Sequence, residues 1–336
     1  MKPLSEDAVL DVRNLRKYFP VFEKGAVFSR QAGSIHACDD VSFTVRRGRT
    51  LGLLGESGSG KTTLAKTILY LLPPTSGEVY FEGTDVFKVF ASKDKRRILG
   101  LRRKMQYVFQ DPYSSLNPRM TVADIIMEPF QIHGHLPKKE WSMRMYELLN
   151  LVGLEDYHAE RYPHEFSGGQ RQRVCIARAL AVEPKFLIAD EPVSSLDVSI
   201  RAQILNLLRD LQSKLDLTYI YISHDLSTVR HICDRVAVMY LGRIVELAGV
   251  DEIFSSPRHP YTKALISAVP EAEPGRKSNR VILPGEMPSP IDPPPYCRFY
   301  QRCLYHIPLC QKEDPKLEET SKGHFAACFR ARERLP

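Results

Sequence analysis

The sequence predicts an α/β fold built around a phosphate-binding loop, and three stretches carry that prediction. The first is Gly55-Glu56-Ser57-Gly58-Ser59-Gly60-Lys61-Thr62-Thr63, set between the short apolar run Leu51–Leu54 and the helically spaced Leu64–Leu69. Strand, glycine-rich turn and helix in that order give G-x-x-x-x-G-K-[ST] its meaning. The second is Lys185-Phe186-Leu187-Ile188-Ala189-Asp190-Glu191, a buried-type strand ending in two acids. It puts a carboxylate at the C-terminal edge of a parallel sheet, where open α/β sheets bind ligands. The third is Ser167-Gly168-Gly169-Gln170-Arg171, a second glycine-rich helix start and so a second potential phosphate grip.

In the first stretch, glycines let successive backbone N–H groups curl round a polyphosphate, and the helix aims its positive end at the same anion. Lys61 is placed to reach the β- and γ-phosphates, and Thr62 to offer its hydroxyl to Mg²⁺. The chain therefore reads as a binder of a nucleoside triphosphate.

Composition narrows the class. A chain of 336 residues that is 43% hydrophobic can bury one large core or two moderate ones. Its 47 basic and 40 acidic side chains leave a net charge of +7, which suits contact with phosphates or a membrane surface and does not itself argue for nucleic acid. No run approaches the roughly 20 apolar residues of a membrane helix. Met1-Lys2-Pro3-Leu4-Ser5-Glu6-Asp7 carries two acids and no signal-peptide apolar segment, so a cytosolic chain is expected unless something tethers it. Cys38, Cys175 and Cys233 lie in apolar surroundings that suit inert, buried thiols. Cys297, Cys303, Cys310 and Cys328 crowd the last 40 residues; in a reducing cytosol this suits a metal or iron–sulfur site better than two disulfides.

Taken in order, Val9–Leu15 alternates as a strand and leads to Lys17-Tyr18-Phe19-Pro20, where an aromatic ring is placed either in the core or against a nucleobase. Residues 22–34, with Gly25 and Gly33, read as an exposed loop, and Val41–Val45 as a second strand. Pro73–Gly77 ends the first helix and Glu78–Phe81 resumes strand pattern. Residues 92–104 carry Lys93, Lys95, Arg96, Arg97, Arg102, Arg103 and Lys104 and read as the solvated face of a helix. Met105–Phe109 is a strand that delivers Gln110 at its end. From about 121 to 164 the pattern is helical, with Thr121 as an N-cap and Gly153 closing a helix. A helix over 199–214, a strand Thr218–Ile222 ending at Ser223-His224-Asp225, and a hairpin round Leu241-Gly242 complete the body. The composition shifts near 270, and the prolines between 284 and 295 make a stiff connector.

Together and in this order, these residues resemble the nucleotide-binding subunit of an ABC transporter, over residues 9–270. Gly55, Ser57, Gly58, Ser59, Gly60, Lys61 and Thr62 match the Walker A loop, with Thr63 directly after it; Gln110 matches the Q-loop, and Ser167-Gly168-Gly169-Gln170 the signature. Phe186–Asp190 looks like Walker B, Glu191 like the catalytic carboxylate, Ser195-Leu196-Asp197 like the D-loop, and His224 like the switch histidine. Phe19 aligns with the adenine-stacking residue, Tyr18 being the alternative. The resemblance implies an ABC-type P-loop NTPase: an α/β mixed core, an antiparallel β subdomain and a helical subdomain at about 111–168, within residues 1–270. It also implies ATP hydrolysis by positioning and charge stabilisation. Lys61 holds phosphates; Thr62 and Gln110 ligate Mg²⁺ directly and Asp190 through water; Glu191 polarises water; His224 meets the γ-phosphate. Ser167 and Gly169 serve the nucleotide bound by the opposite subunit.

A narrower resemblance, to the dipeptide/oligopeptide importer ATPases, rests on Tyr162–Arg173, on Phe109–Pro118, on His259-Pro260-Tyr261-Thr262-Lys263-Ala264-Leu265, and on the connector and tail of residues 271–336. In that subgroup the tail resembles segments holding a [4Fe-4S] cluster; the spacing here is Cys-x5-Cys-x6-Cys-x17-Cys, and a zinc site or a metal-free tail stand as alternatives. The implied partners are a second, paralogous ATPase, two transmembrane permease subunits meeting the region Pro112–Phe130, and an extracytoplasmic substrate-binding protein, with no nucleic acid. The implied location is the cytoplasmic face of a prokaryotic cell membrane. Oligosaccharide or nickel cargo, and a soluble ABC ATPase of ribosomes or DNA repair, are the competing functions; the latter lacks its usual second cassette or heptad insertion.

Overall fold

The computed structural model describes residues 7–24, 29–268 and 281–333. The chain begins with β1 Ala8–Lys24, β2 Ser29–Arg46, β3 Thr50–Leu54, α1 Lys61–Ile68, β4 Ser76–Phe81 and β5 Thr84–Asp85. It continues with α2 Val86–Ala91, α3 Lys95–Lys104, β6 Met105–Val108, α4 Pro112–Ser115, α5 Val122–His133, α6 Trp141–Leu151 and α7 Gly168–Leu180. Then come β7 Phe186–Asp190, α8 Val198–Leu215, β8 Thr218–Ser223, α9 Leu226–Ile232, β9 Arg235–Tyr240 and β10 Arg243–Gly249. Last are α10 Val250–Ser255, α11 Pro260–Ser267, β11 Glu318–Ser321 and β12 His324–Ala326. Contacts divide the chain into two compact units: one of Met1–Val9, Val45–Arg49 and Val86–Tyr221, the other of Leu10–Thr44, Thr50–Asp85 and Ile222–Pro336.

In the second unit, an antiparallel sheet runs β2-β1-β4-β5. β1 and β4 pair with Leu10 opposite Phe81 and Val12 opposite Val79, all four side chains buried. The expected exposed loop at residues 22–34 is instead strand: β1 reaches Lys24 and β2 begins at Ser29, residues 25–28 lying outside the described residues. The two strands pair with each other, and β2 is held as well from far off in sequence. Ile35 bridges Ile291, His36 donates its amide to the Pro290 carbonyl at 3.0 Å, and the Asp292 amide donates to the Ser34 carbonyl at 2.9 Å. Those bonds satisfy backbone groups that local composition leaves unpartnered. The boundary expected near 270 falls on residues outside those described.

β3, all five residues buried, runs parallel to β9, with Leu51 opposite Arg235 and Leu54 opposite Val238. β9 turns back into β10 through Leu241 and Gly242, both at positive φ (43° and 79°), as a tight two-residue hairpin requires. The tail joins here: β12 pairs antiparallel with β10, and β11 with β12.

In the first unit, β6 runs parallel to β7, from Met105 opposite Phe186 to Val108 opposite Ala189, and β8 lies on the other side of β7. α5 starts at the Thr121 cap, whose side chain accepts from the Asp124 amide, and buries Val122, Ile125, Ile126 and Phe130, one face at helical spacing. That face packs on α6 and α7. Burying Phe130 alone is worth about 2–3 kcal/mol. Gly153 lies just past α6 in the left-handed conformation. α3 is capped by Asp94 and buries Leu101 alone, so its basic face is solvated as expected.

Candidate nucleotide site

The phosphate loop joins β3 to α1 within the second unit. Its glycines are there for clearance. Gly60 caps α1 at φ 106°, and a Cβ on it would lie 2.1 Å from the Ala37 carbonyl oxygen; one on Gly55 would lie 2.3 Å from that of Met239. Only a bare backbone passes between those carbonyls. Ser59 is buried, Ser57 and Gly58 are exposed, and Thr62 and Thr63 are half-buried in the first turn of α1. Lys61 is buried, its Nζ donating to the carbonyls of Gly55 at 2.7 Å and Glu56 at 2.9 Å. The ammonium thus sits across the loop on the side its backbone encloses, beside the positive end of α1. That arrangement attracts a polyphosphate.

Two features of this loop were not legible in the sequence. The Glu56 amide donates to the Tyr261 hydroxyl at 2.9 Å, and Arg302 Nη1 lies 3.2 Å from both oxygens of the Glu56 carboxylate. Tyr261 stands in the His259–Leu265 stretch, but nothing local to it points at residue 56.

Of the two candidate adenine rings in β1, Tyr18 is engaged in the fold: it stacks on His36 at 4.0 Å, and its hydroxyl donates to Asp39. Phe19 has the Lys17 ammonium 4.6 Å from its ring centre. His224 is exposed, between the end of β8 and Asp225, which caps α9 by accepting from the Ser227 amide at 2.9 Å.

The first unit carries the acidic half. Asp190 ends β7 almost fully buried, and the Tyr107 hydroxyl donates to its carboxylate. Burial, then the neighbouring Asp190 charge, pushes the Tyr107 hydroxyl far above its ordinary pKa, so it stays protonated and remains a donor. Glu191 comes next at φ 45° and accepts from the Gln110 amide nitrogen at 3.0 Å. Gln110 stands two residues past the end of β6, so the parallel pairing of β6 with β7 brings both side chains to the same sheet edge. The signature forms a capping box: Ser167 Oγ accepts from the Gln170 amide at 3.3 Å, and Gln170 Oε1 from the Ser167 amide at 3.0 Å. Ser167 and Gly168 are exposed, and Gly169 is buried. Asp197 caps α8, exposed.

Comparison with known proteins decides the family. Residues 38–194 match the ABC transporter family, and residues 245–310 match the C-terminal region of oligopeptide/dipeptide transporters. The oligopeptide transport ATP-binding protein AppF of Bacillus subtilis is 47% identical over 330 residues, covering 98% of this chain and 99% of its own. The dipeptide transport ATP-binding protein DppF of Escherichia coli is 47% identical over 324 residues, covering 96% and 95%. The ATP-binding cassette MJ0796, solved as a post-hydrolysis dimer with ADP and Pi, superposes with a TM-score of 0.61 at 29% identity, over 72% of this chain and 98% of that one. The chain belongs to the ATP-binding proteins of oligopeptide/dipeptide ABC transporters.

All seven cysteines are free thiols, and Cys38, Cys175 and Cys233 are buried as expected. Among the described residues, however, no group of three or more His, Cys, Asp or Glu side chains is placed to hold a metal ion, so the [4Fe-4S] or zinc site read from Cys297, Cys303, Cys310 and Cys328 is not supported. Burial pushes the Cys297 thiol up to about 12 and that of Cys328 to about 11, and raises Cys303 as well. No described helix is long and apolar enough to cross a membrane.

Proposed function

We propose that this ABC ATPase powers the import of di- or oligopeptides through membrane permease subunits, paired with a second ATPase subunit and supplied by an extracytoplasmic substrate-binding protein. The ATPase reading is carried by the Gln110–Glu191 contact beside Asp190 at one sheet edge, in a chain whose phosphate loop is sterically built for a polyphosphate. Near-full-length similarity to an oligopeptide and a dipeptide transport protein supports the peptide cargo.

In this reading Lys61 and the amides of Gly58 to Thr63 hold the phosphates, and Phe19 stacks on adenine while Tyr18 braces β1. Thr62, Gln110 and Asp190 would hold Mg²⁺; this all-oxygen donor set of hydroxyl, amide and carboxylate fits that ion, which when bound neutralises phosphate charge. Glu191, oriented by the Gln110 amide, polarises water toward the terminal phosphate, and His224 steadies that phosphate. Ser167, Gly168, Gly169, Gln170 and Asp197 act on the nucleotide of the opposite subunit, so catalysis needs two chains. The reading puts the subunit on the cytoplasmic face of the membrane.

The test is ATP turnover by the reconstituted transporter in proteoliposomes with its substrate-binding protein. Stimulation by peptide-loaded receptor is expected. Stimulation by an oligosaccharide or by nickel instead would replace the cargo while keeping the ATPase.

A second reading, that the tail cysteines take up a [4Fe-4S] cluster, is favoured by one observation: the sulfurs of Cys297, Cys303 and Cys328 each receive a backbone amide from two residues on, Phe299, Tyr305 and Arg330. Iron and acid-labile sulfide in anaerobically purified protein are expected; metal-free, fully active protein would remove it.

A further inference from the structure

The turn between Cys297 and Cys303 carries two arginines, Arg298 and Arg302, only 8% and 7% exposed. A guanidinium that deep is costly unless fully paired. Arg298 donates to the Leu241 carbonyl at 2.5 Å and to the Asp39 carboxylate, the one that also receives the Tyr18 hydroxyl and Arg243. Arg302 spreads one nitrogen over both Glu56 oxygens at 3.2 Å, gives Nε to the Pro284 carbonyl at 3.4 Å, and lies 5.9 Å from the centre of the Tyr240 ring. Between the two arginines Phe299, 2% exposed, meets Tyr240 edge-on at 5.2 Å and Tyr261 at 5.6 Å. Tyr261 in turn receives the Glu56 amide.

Glu56 is therefore gripped twice, by its amide and by its carboxylate, and it stands inside the phosphate loop between Gly55 and Ser57. Asp39 is gripped next to the ring that braces β1. Arg302 thus holds a residue of the phosphate loop itself, while Arg298 holds Asp39 beside Tyr18.

We propose that the turn Cys297–Cys303 is a clamp through which the C-terminal tail presets the phosphate loop for nucleotide, with Arg302 as a positioning residue acting through Glu56. The proposal rests on the ATP-binding reading above. A loop already held in its binding shape loses less freedom when the ligand arrives, so affinity rises without any new ligand contact.

The test uses the full-length chain. Arg302→Glu, Arg302→Lys and the charge swap Arg302→Glu with Glu56→Arg are compared with the unaltered protein by backbone hydrogen exchange without nucleotide and by titration with a fluorescent ATP analogue. Arg302→Glu is expected to speed exchange in residues 55–63 and to weaken analogue binding by about tenfold, the scale of one charge-assisted hydrogen bond. The swap is expected to recover most of both, which ties the loss to the Arg302–Glu56 pair. Unchanged exchange in residues 55–63, or a loss the swap does not recover, overturns the clamp. Should Arg302→Glu fail to fold, Arg302→Lys decides: faster loop exchange at an unshifted melting temperature supports the clamp, and exchange like the unaltered protein's overturns it. If the unaltered chain binds no analogue, the ATP reading falls, while the exchange comparison still decides the clamp.

Discussion

Gln110 Nε2 lies 3.0 Å from Glu191 Oε2, so an amide at the end of one strand orients the carboxylate at the end of the strand beside it. An oriented carboxylate can polarise water, whereas an amide in its place cannot accept a proton. Glu191→Gln is therefore expected to retain ATP while phosphate release falls at least about 100-fold, the usual weight of general-base assistance. Filter-retained ATP against released phosphate measures both, and normal turnover in the variant would remove Glu191 from that role.

Tyr107→Phe deletes the hydroxyl that donates to buried Asp190. A buried carboxylate that loses such a donor costs about 1–3 kcal/mol, which urea unfolding reads directly. The same variant should need more Mg²⁺ for half-maximal ATPase, because Asp190 is then less fixed. The wild-type pH profile should show no limb from Tyr107, whose hydroxyl stays protonated.

Two glycine-to-alanine changes should have opposite signs. Gly60→Ala drives a methyl to within 2.1 Å of the Ala37 carbonyl at a left-handed backbone, so nucleotide binding should be lost and the melting temperature should fall. Gly100→Ala in α3 meets nothing within 4 Å and should stabilise the chain by about 0.5–1 kcal/mol, with ATPase unaltered. Calorimetry of the pair checks both.

Stability should decline in mild acid through His259. Burial, only partly offset by Glu246, lowers the pKa of its ring to about 4 from 6.5. Its Nδ1 accepts the Tyr261 amide at 3.1 Å, a bond the neutral ring makes. The unfolded chain takes a proton as pH falls through 6.5, while the folded chain refuses it until about 4. Stability is thus full above about pH 6.5 and drains as pH falls toward 4, by about 2 kcal/mol at pH 5. Asp39, pushed up by burial but held well below the carboxylate range by Tyr18, Arg298 and Arg243, gives stability that is intact in this window and is lost only as pH falls below the ordinary carboxylate pKa. Urea midpoints at pH 7.5, 6 and 5 should fall less steeply for His259→Asn than for the wild type; equal slopes would acquit the histidine.

Much of the nucleotide site could be read from the sequence because its parts are local. A glycine loop between strand and helix, an apolar strand ending in Asp190-Glu191, and the Ser167 cap each declare themselves within ten residues or so, and each stands where expected. What could not be read was set by partners distant in sequence. Ser34 looks like the end of a loop until Pro290–Asp292 is laid beside it, and Glu56 looks like filler in the phosphate loop until Arg302, 246 residues on, pairs with it. For the tail cysteines the limit is different: their number and crowding are visible in sequence, but whether their sulfurs meet at metal-binding geometry is a matter of packing.

The connector and tail are stitched along β2 and β10 rather than trailing behind them. A transcript cut short near codon 284 would therefore not yield a trimmed but serviceable enzyme. It would leave two strand margins bare, take Arg302 from Glu56 and take Arg298 from Asp39, which would keep Arg243, and such a product is more apt to clump than to turn over.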